Sequence, residues 1–168
     1  MTANAPPNGT DLDDLASRLL DRLRDAGLTL ATAESLTGGL LGATITAIPG
    51  ASDVYVGGVV SYAIEVKTAV LSVPEAVIAD HGVVSPECAG AMAEGVRALT
   101  GADVALATTG VAGPGAQDGV PAGTVWVAAA TMESTATDLL ELTGDRADVR
   151  RGACGGALEL ALKFQPLA

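Results

Sequence analysis

Residues 28–48 read LTLATAESLTGGLLGATITAI, and this stretch decides the fold prediction. Its first part, Leu28–Thr32, is typical of a short strand, and the apolar run Leu40–Ile48 is typical of a helix. A strand that turns into a helix at this point places Ser35 beside free backbone N–H groups and the positive end of the helix dipole. Such a position suits an anion, or the oxyanion that forms during acyl transfer. The alternative role for Ser35 or Thr37 is to cap the helix.

The composition limits both the fold and the partners. Of 168 residues, 49% are apolar and only 2% aromatic, so we expect a core of Ala, Val, Leu and Ile. The 21 glycines permit close backbone approach, which favours a layered α/β fold. The formal net charge of −11 argues against nucleic acid as a partner, because phosphate binding needs clustered Lys and Arg. No apolar run is long enough to span a membrane, and we expect a cytoplasmic protein.

The chain is expected to form one domain over residues 11–168. Residues 1–10 are polar and carry prolines, without the basic and apolar regions of a signal peptide, and they are expected to be a disordered tail. Cys88 and Cys154 lack metal-ligand spacing and are expected to be buried free thiols. The chain has a single histidine, His81, so we do not expect a zinc site built by the protein. No cofactor is expected. The apolar, small-residue composition favours a homo-oligomer, and a dimer first.

Helical and strand patterns alternate along the chain. Helices are predicted over Asp11–Ala26, Leu40–Ile48, Glu65–Leu71, Pro74–Asp80, Pro86–Leu99 and Ala147–Phe164, and strands over Leu28–Thr32, Val54–Ala63, Val104–Thr109, Gly123–Met132 and Thr137–Leu142. The last two strands have hairpin spacing and the earlier ones need crossovers. This order predicts a three-layer α/β/α sandwich with a mixed sheet. Ligands usually bind at the carboxyl ends of such strands, where three loops carry unusual side chains: Ser35–Gly39, Tyr62–Lys67 and Thr108–Gly115.

Six motifs occur in an order that is typical of one known family. They are Ala33–Gly39 (AESLTGG), Ser61-Tyr62 with Glu65 and Lys67, His81–Ser85 (HGVVS), Thr109–Pro114 (TGVAGP), Gly123–Trp126 (GTVW) and Gly144–Arg146 (GDR). In these motifs the chain resembles the C-terminal domain family of the competence/damage-inducible protein CinA. Stand-alone members of that family are nicotinamide-nucleotide amidohydrolases. The resemblance implies hydrolysis of nicotinamide mononucleotide to nicotinate mononucleotide and ammonia, without a metal.

The resemblance also implies a Ser–Tyr–Lys site, which falls on Ser35, Tyr62 and Lys67. An alcohol needs a base, and a buried lysine can serve if desolvation lowers its pKa from about 10.4 toward 7–8. Glu65 is expected to point away, because contact with Lys67 would oppose that shift. Tyr62 and Lys67 would diverge on one helix, so they can meet only if Tyr62 ends the strand and Lys67 starts the next element. The alternative is that Lys67 is a solvent-facing helix residue.

Two loops are expected to contact the nucleotide. The backbone N–H groups of Leu36 and Thr37 would hold the oxyanion. Candidates for binding the ribose phosphate are Thr37, Gly38, Gly39, Thr109, Gly110, Ala112, Gly113 and, more weakly, Arg146. The alternatives are a tight turn for the loop that begins at Thr109, and a surface ion pair for Arg146.

Two positions depart from the family pattern. Ile64 stands where members with deamidase character usually have Asn, and it cannot form a hydrogen bond through its side chain. Val120 stands where a lysine often precedes the proline of the next motif. These departures favour two alternatives to the nucleotide amidohydrolase: an amidase for another small amide, and a non-catalytic nucleotide-binding or protein-interaction module.

Overall fold

Helices and strands alternate along residues 11–164, which are the residues that the computed structural model describes. The helices are α1 (Leu12–Ala26), α2 (Leu40–Thr46), α3 (Ile64–Ala69), α4 (Glu75–His81), α5 (Pro86–Thr100) and α6 (Arg146–Lys163), and the strands are β1 (Leu30–Glu34), β2 (Tyr55–Val60), β3 (Val104–Gly110), β4 (Thr124–Ala130) and β5 (Thr135–Glu141). A short 3₁₀ turn, Ala51–Asp53, precedes β2. The tail expected over residues 1–10 lies outside the described residues.

The sheet is mixed, as predicted, with strand order β2-β1-β3-β4-β5. The first three strands in that order are parallel, and β4 and β5 are antiparallel to their neighbours. The carboxyl ends of β2, β1 and β3 therefore lie at one edge, where Glu34 stands opposite Val60 on one side and Thr108 on the other. This edge brings the three loops singled out in the sequence together.

The two faces of the sheet carry side chains of different size. Leu30, Leu106 and Val127 belong to the core cluster shared with α1, α2 and α6. The opposite face, which packs against α5, is lined by small side chains from three strands: Ala31, Ala33, Ala105, Ala107, Ala128 and Ala130. These alanines let α5 approach the sheet closely, and they account for a buried core with few aromatic residues. Helices on both faces confirm the predicted three layers.

Strand β1 lies two residues further along the chain than predicted. Gly27 adopts a left-handed conformation (φ 69°) after α1, and its N–H donates to Arg24 O. The N–H of Leu28 donates to Leu23 O, so Leu28 still belongs to the end of the helix. Leu28 is therefore not available to the sheet, and β1 begins at Leu30. Within residues 11–164, no helix combines the length and apolarity needed to cross a membrane.

Gly95 allows the chain after α3 to pass close to α5. A Cβ at this position would collide with the carbonyl oxygen of Leu71, which is backbone and cannot move aside easily. We expect Gly95→Ala to lower the free energy of unfolding by about 2 kcal/mol or more, measured by urea unfolding. Gly90 in the same helix is the matched control. Its added Cβ would lie 3.5 Å from Thr135 Cγ2, an ordinary contact, so Gly90→Ala should leave stability unchanged or raise it by up to about 1 kcal/mol. Equal stability of the two variants would contradict this account of the packing.

Candidate active site

Ser35 and Lys67 meet at the carboxyl edge of the sheet. Ser35 follows β1 directly, and Lys67 lies on α3, the helix that follows β2. The Nζ atom of Lys67 lies 2.9 Å from Ser35 Oγ and donates to it, and Nζ also donates to the carbonyl oxygen of Ser61. Only 1% of the surface of Lys67 is exposed, so a solvent-facing lysine is ruled out. A nucleophile and a possible base are thus in direct contact.

The surroundings of Lys67 favour its neutral form. Burial lowers the pKa of Lys67 below the ordinary value, and the neighbouring Cys88 thiol opposes this to a smaller extent. No salt bridge to Lys67 is formed among residues 11–164. Glu65 is exposed, so it points away as predicted. A neutral amine at hydrogen-bond distance from a hydroxyl is the arrangement that a general base requires.

Tyr62 stands at the mouth of the site. It follows the end of β2 as expected, but within residues 11–164 its hydroxyl forms no hydrogen bond with Ser35 or Lys67. Tyr62 and Lys67 line the same cavity, but no hydrogen bond joins them, because the Tyr62 side chain turns outward and is 62% exposed. Its hydroxyl accepts a hydrogen bond of 3.0 Å from Nη2 of Arg146.

Arg146 joins the Tyr62 side of the mouth to the loop after β3. It is the first residue of α6, whose capping box is formed by Asp145 and Asp148. Its Nη1 donates to Gly113 O at 2.7 Å, and its Nη2 reaches Tyr62. The surface ion pair considered for Arg146 is not formed with any carboxylate in the described part of the chain. The guanidinium is exposed, so it can also meet an anionic ligand.

A cavity of about 370 Å³ opens above the Ser35–Lys67 pair. Most of the residues predicted from the sequence line it: Ser35, Leu36, Tyr62, Lys67, Thr109, Gly110, Ala112, Gly113 and Arg146. Ile64, Val83, Val84 and Val111 add an apolar wall, and Gly115, Ala116 and Gln117 complete the lining. The size lies in the range of small-molecule sites, and polar and apolar groups contribute about equally to the lining.

The N-terminus of α2 is occupied by a side chain of the protein itself. The buried carboxylate of Glu34 accepts hydrogen bonds from the N–H groups of Gly39 (3.0 Å), Leu41 (3.0 Å) and Gly42 (2.8 Å). The N–H of Gly38 donates to Ser35 O at 3.0 Å. Gly38 and Gly39 therefore cannot offer these donors to a phosphate, and neither residue lines the cavity. Glu34 is the cap of this helix.

The remaining donors of the loop are those of Leu36 and Thr37. Neither N–H group donates to an acceptor within residues 11–164, but of the two residues Leu36 lines the cavity whereas Thr37 is fully buried, so the N–H of Leu36 is the candidate for holding an oxyanion. The hydroxyl of Thr37 is buried and shares a hydrogen bond of 2.8 Å with Thr108 Oγ1. That hydroxyl is thus neither a phosphate ligand nor a helix cap, and the capping role considered for Ser35 or Thr37 is wrong.

The loop after β3 both lines the cavity and ties the sheet together. The hydroxyl of Thr109 donates to Val83 O at 2.7 Å. A Cβ on Gly110 would lie 2.6 Å from Thr124 O, so only glycine allows β3 to pair closely with β4 there. Gly113 has a φ of 90° and offers its carbonyl to Arg146. Since β3 ends at Gly110 and β4 begins only at Thr124, residues 111–123 form a long connection, and the tight turn considered for Thr109–Gly115 is not formed.

Three residues that organise the site were not predicted: Glu34, Ser61 and Arg150. Arg150 donates through Nη2 to Thr37 O at 2.7 Å and so holds the loop from the α6 side. An acidic residue shortly before a helix N-terminus was the signal for Glu34.

Cys88 and Cys154 are buried free thiols, as predicted. No group of three or more His, Cys, Asp or Glu side chains within residues 11–164 is placed to hold a metal ion.

Comparisons with known proteins agree on one family. The family model described as the CinA C-terminal domain matches residues 12–164. A "CinA-like protein" from Synechococcus sp. (strain CC9311) is 53% identical over 135 residues, covering 80% of this chain and 32% of that protein. A "putative competence-damage inducible protein" from Halalkalibacterium halodurans is 46% identical over 143 residues, covering 84% of this chain and 34% of that protein. The chain thus spans about a third of the length of these curated relatives.

Solved structures give the same result along nearly the whole chain. A competence-damaged protein (CinA) superfamily protein from Escherichia coli has a TM-score of 0.90 and 34% identity, covering 96% of this chain and 95% of that one. The competence damage-inducible protein A from Klebsiella pneumoniae has a TM-score of 0.88 and 39% identity, covering 92% and 97%. On the family match, the relatives and the fold, the chain belongs to the CinA C-terminal domain family.

Proposed function

We propose that this chain hydrolyses the carboxamide of nicotinamide mononucleotide to nicotinate mononucleotide and ammonia. The observation that carries the proposal is the 2.9 Å contact between Lys67 Nζ and Ser35 Oγ beside a cavity of about 370 Å³. A serine activated by a buried lysine is suited to acyl transfer from an amide. The choice of substrate comes from the family resemblance, and the apolar wall of the cavity is compatible with a flat pyridine ring.

The first half of the reaction forms an ester on Ser35. Its Oγ attacks the carboxamide carbon while neutral Lys67 takes the hydroxyl proton. The N–H group of Leu36, which lines the cavity, stabilises the oxygen that becomes negative. The tetrahedral intermediate then collapses: the C–N bond breaks, Lys67 returns its proton to the leaving nitrogen, and ammonia departs.

The second half restores the enzyme. Water attacks the ester carbon and gives a proton to Lys67. When the C–O bond to Ser35 breaks, that proton passes to Ser35 Oγ, and nicotinate mononucleotide leaves as the acid. Lys67 thus acts as base and then as acid in each half, so its pKa must lie within reach of the working pH. Burial without a carboxylate partner lowers the pKa of Lys67, which is the direction that this role requires.

Arg146 is the group best suited to hold the phosphate. The α2 N-terminus is filled by Glu34, and the Thr109 hydroxyl is used within the protein. The exposed guanidinium of Arg146 has donors beyond the two that contact Gly113 and Tyr62. Guanidinium groups bind phosphate well because their planar donors match two oxygens at once.

We expect Arg146→Gln to raise the KM for nicotinamide mononucleotide by about 10- to 100-fold, since a hydrogen bond to a charged group is lost. The KM for nicotinamide riboside, which lacks the phosphate, should change far less. Arg151→Gln is the matched control: it removes the same charge from an exposed arginine of the same helix that does not line the cavity. An equal rise in KM for both substrates would contradict the assignment.

The proposed function is tested by incubating the protein with nicotinamide mononucleotide, measuring ammonia and separating the nucleotides by chromatography. We expect one equivalent of nicotinate mononucleotide for each ammonia released. Absence of both products would overturn the proposal.

Ile64 favours a second candidate, an amidase for a small amide without a nucleotide. Its side chain lines the cavity and is 47% exposed, so it offers an apolar contact where the family pattern has a polar one. A panel that contains nicotinamide, benzamide and short aliphatic amides separates the two candidates. A higher kcat/KM for a neutral amide than for the mononucleotide would favour the second.

A further inference from the structure

We infer that Glu34 is a positioning residue that holds the Ser35–Lys67 pair in its reactive arrangement. The inference rests on the proposed function only in taking Ser35 as the nucleophile. Glu34 does not line the cavity, and 2% of its surface is exposed, so it acts through its neighbours.

The carboxylate of Glu34 fixes the loop that carries Ser35. It reaches past the turn and accepts from Gly39, Leu41 and Gly42. These contacts join the residue before Ser35 to the first turn of α2. Leu36, the candidate oxyanion donor, lies between the joined points. Movement of the carboxylate would therefore move the nucleophile and this donor together.

The backbone of Glu34 fixes the position of Lys67. Its carbonyl oxygen accepts from Ser61 N at 2.7 Å and from Ser61 Oγ at 3.3 Å. The carbonyl oxygen of Ser61 in turn accepts from Lys67 Nζ. The contacts form a ring that runs from Glu34 through Ser61 and Lys67 to Ser35 and returns through the peptide bond. One residue thus anchors both members of the pair.

This arrangement also determines which kinetic constant should change. Because the Glu34 carboxylate already satisfies the α2 N-terminus, a substrate anion is not bound there. Loss of the carboxylate should disturb orientation at the reacting atoms and leave the contacts of Arg146 at the other side of the cavity in place. We therefore expect a fall in kcat with little change in KM.

The test is the rate at which Ser35 reacts with phenylmethanesulfonyl fluoride, followed by mass spectrometry of the folded protein. This reagent needs an activated serine and no knowledge of the substrate. We expect labelling of wild-type Ser35 and a rate about 10- to 100-fold lower in Glu34→Gln, whose amide cannot accept from all three N–H groups. Asp11→Asn is the matched control, because Asp11 caps α1 through Asp13 N at 3.0 Å and does not line the cavity. Its rate should equal that of wild type.

A second variant covers the case in which Glu34→Gln fails to fold. A Cβ on Gly42 would lie 3.3 Å from Glu34 Oε1 and 2.9 Å from Tyr55 Oη. Gly42→Ala in a Tyr55→Phe background therefore crowds the carboxylate without removing it, and it should slow labelling relative to Tyr55→Phe alone. Labelling of either folded variant at its reference rate would overturn the inference, as would a wild-type Ser35 that does not react.

The same variants test the positioning role of Glu34 independently of which substrate the protein hydrolyses. If Ser35 is labelled and Glu34→Gln slows the labelling, the positioning role stands even where nicotinamide mononucleotide is not hydrolysed. If the mononucleotide is hydrolysed, Glu34→Gln should lower kcat while KM stays within about threefold of wild type, since the loss is one of orientation. A rise in KM with unchanged kcat would overturn the inference.

Discussion

Ser35→Ala will abolish ammonia release, with kcat falling by about a thousandfold or more, because the atom that attacks the amide is removed. The loss of one oxygen from a half-buried residue should leave the fold intact. Binding should also persist, since the variant retains Arg146, the proposed phosphate ligand, and the loop after β3. Calorimetric titration of the variant with nicotinamide mononucleotide should therefore still give a binding isotherm.

Ser134→Ala serves as the control for this variant. Ser134 lies in the turn between β4 and β5, is exposed and does not line the cavity, so its hydroxyl should not affect turnover. Ammonia release by Ser35→Ala at the wild-type rate would contradict the proposed mechanism. Loss of release together with loss of binding would mean that Ser35 holds the substrate and does not attack it.

Lys67→Met should lower kcat by about 10²- to 10⁴-fold, the range of a general acid–base contribution. Methionine has a similar length and no charge, so it suits a site in which 1% of the side chain is exposed. Lys67→Arg should not restore activity, because a guanidinium remains protonated at any pH at which the protein is folded. The chain contains a matched control, Lys163, which lies exposed on α6 and pairs with Glu159 at 3.7 Å. Lys163→Met should turn over at the wild-type rate.

The pH dependence of kcat gives a second readout for Lys67. Burial lowers the pKa of this lysine, so the active neutral amine should form at a pH below that of an ordinary lysine. Activity should therefore rise with pH through that lowered pKa and then level off. The rise should be absent from the residual activity of Lys67→Met. A rise that persists in Lys67→Met would assign the titration to another group and contradict the role of this lysine.

Local sequence signals were sufficient to predict the order of elements. Gly27 marks the end of α1, because glycine readily adopts the left-handed conformation, and Ser85-Pro86 marks the start of α5. Hairpin spacing predicted the antiparallel β4 and β5. The predicted position of β1 was wrong by two residues because the N–H of Leu28 still bonds to α1. That contact depends on the left-handed turn at Gly27 and cannot be identified from the hydrophobic pattern alone.

Lys67 and Ser35 could be predicted from the sequence. The chain contains two lysines, Lys67 and Lys163, and Lys67 stands out because it follows the end of a predicted strand. The family motifs indicated its partner Ser35. The contacts of Tyr62 and Glu34 were not predictable, because each depends on a side-chain direction fixed by distant elements. Tyr62 turns toward Arg146, a residue 84 positions further along the chain. The Glu34 side chain points to the N-terminus of α2, where the sequence had predicted a bound anion.

The most direct test of the central claim, an ester formed on Ser35, is turnover in the presence of hydroxylamine. An acyl-enzyme divides between water and hydroxylamine, so nicotinamide mononucleotide should yield the hydroxamate of nicotinate mononucleotide as well as the acid. The hydroxamate fraction should rise with hydroxylamine concentration, and Ser35→Ala should form neither product. Release of ammonia with only the acid formed, at every hydroxylamine concentration, would contradict a covalent intermediate and with it the proposed role of Ser35 and Lys67.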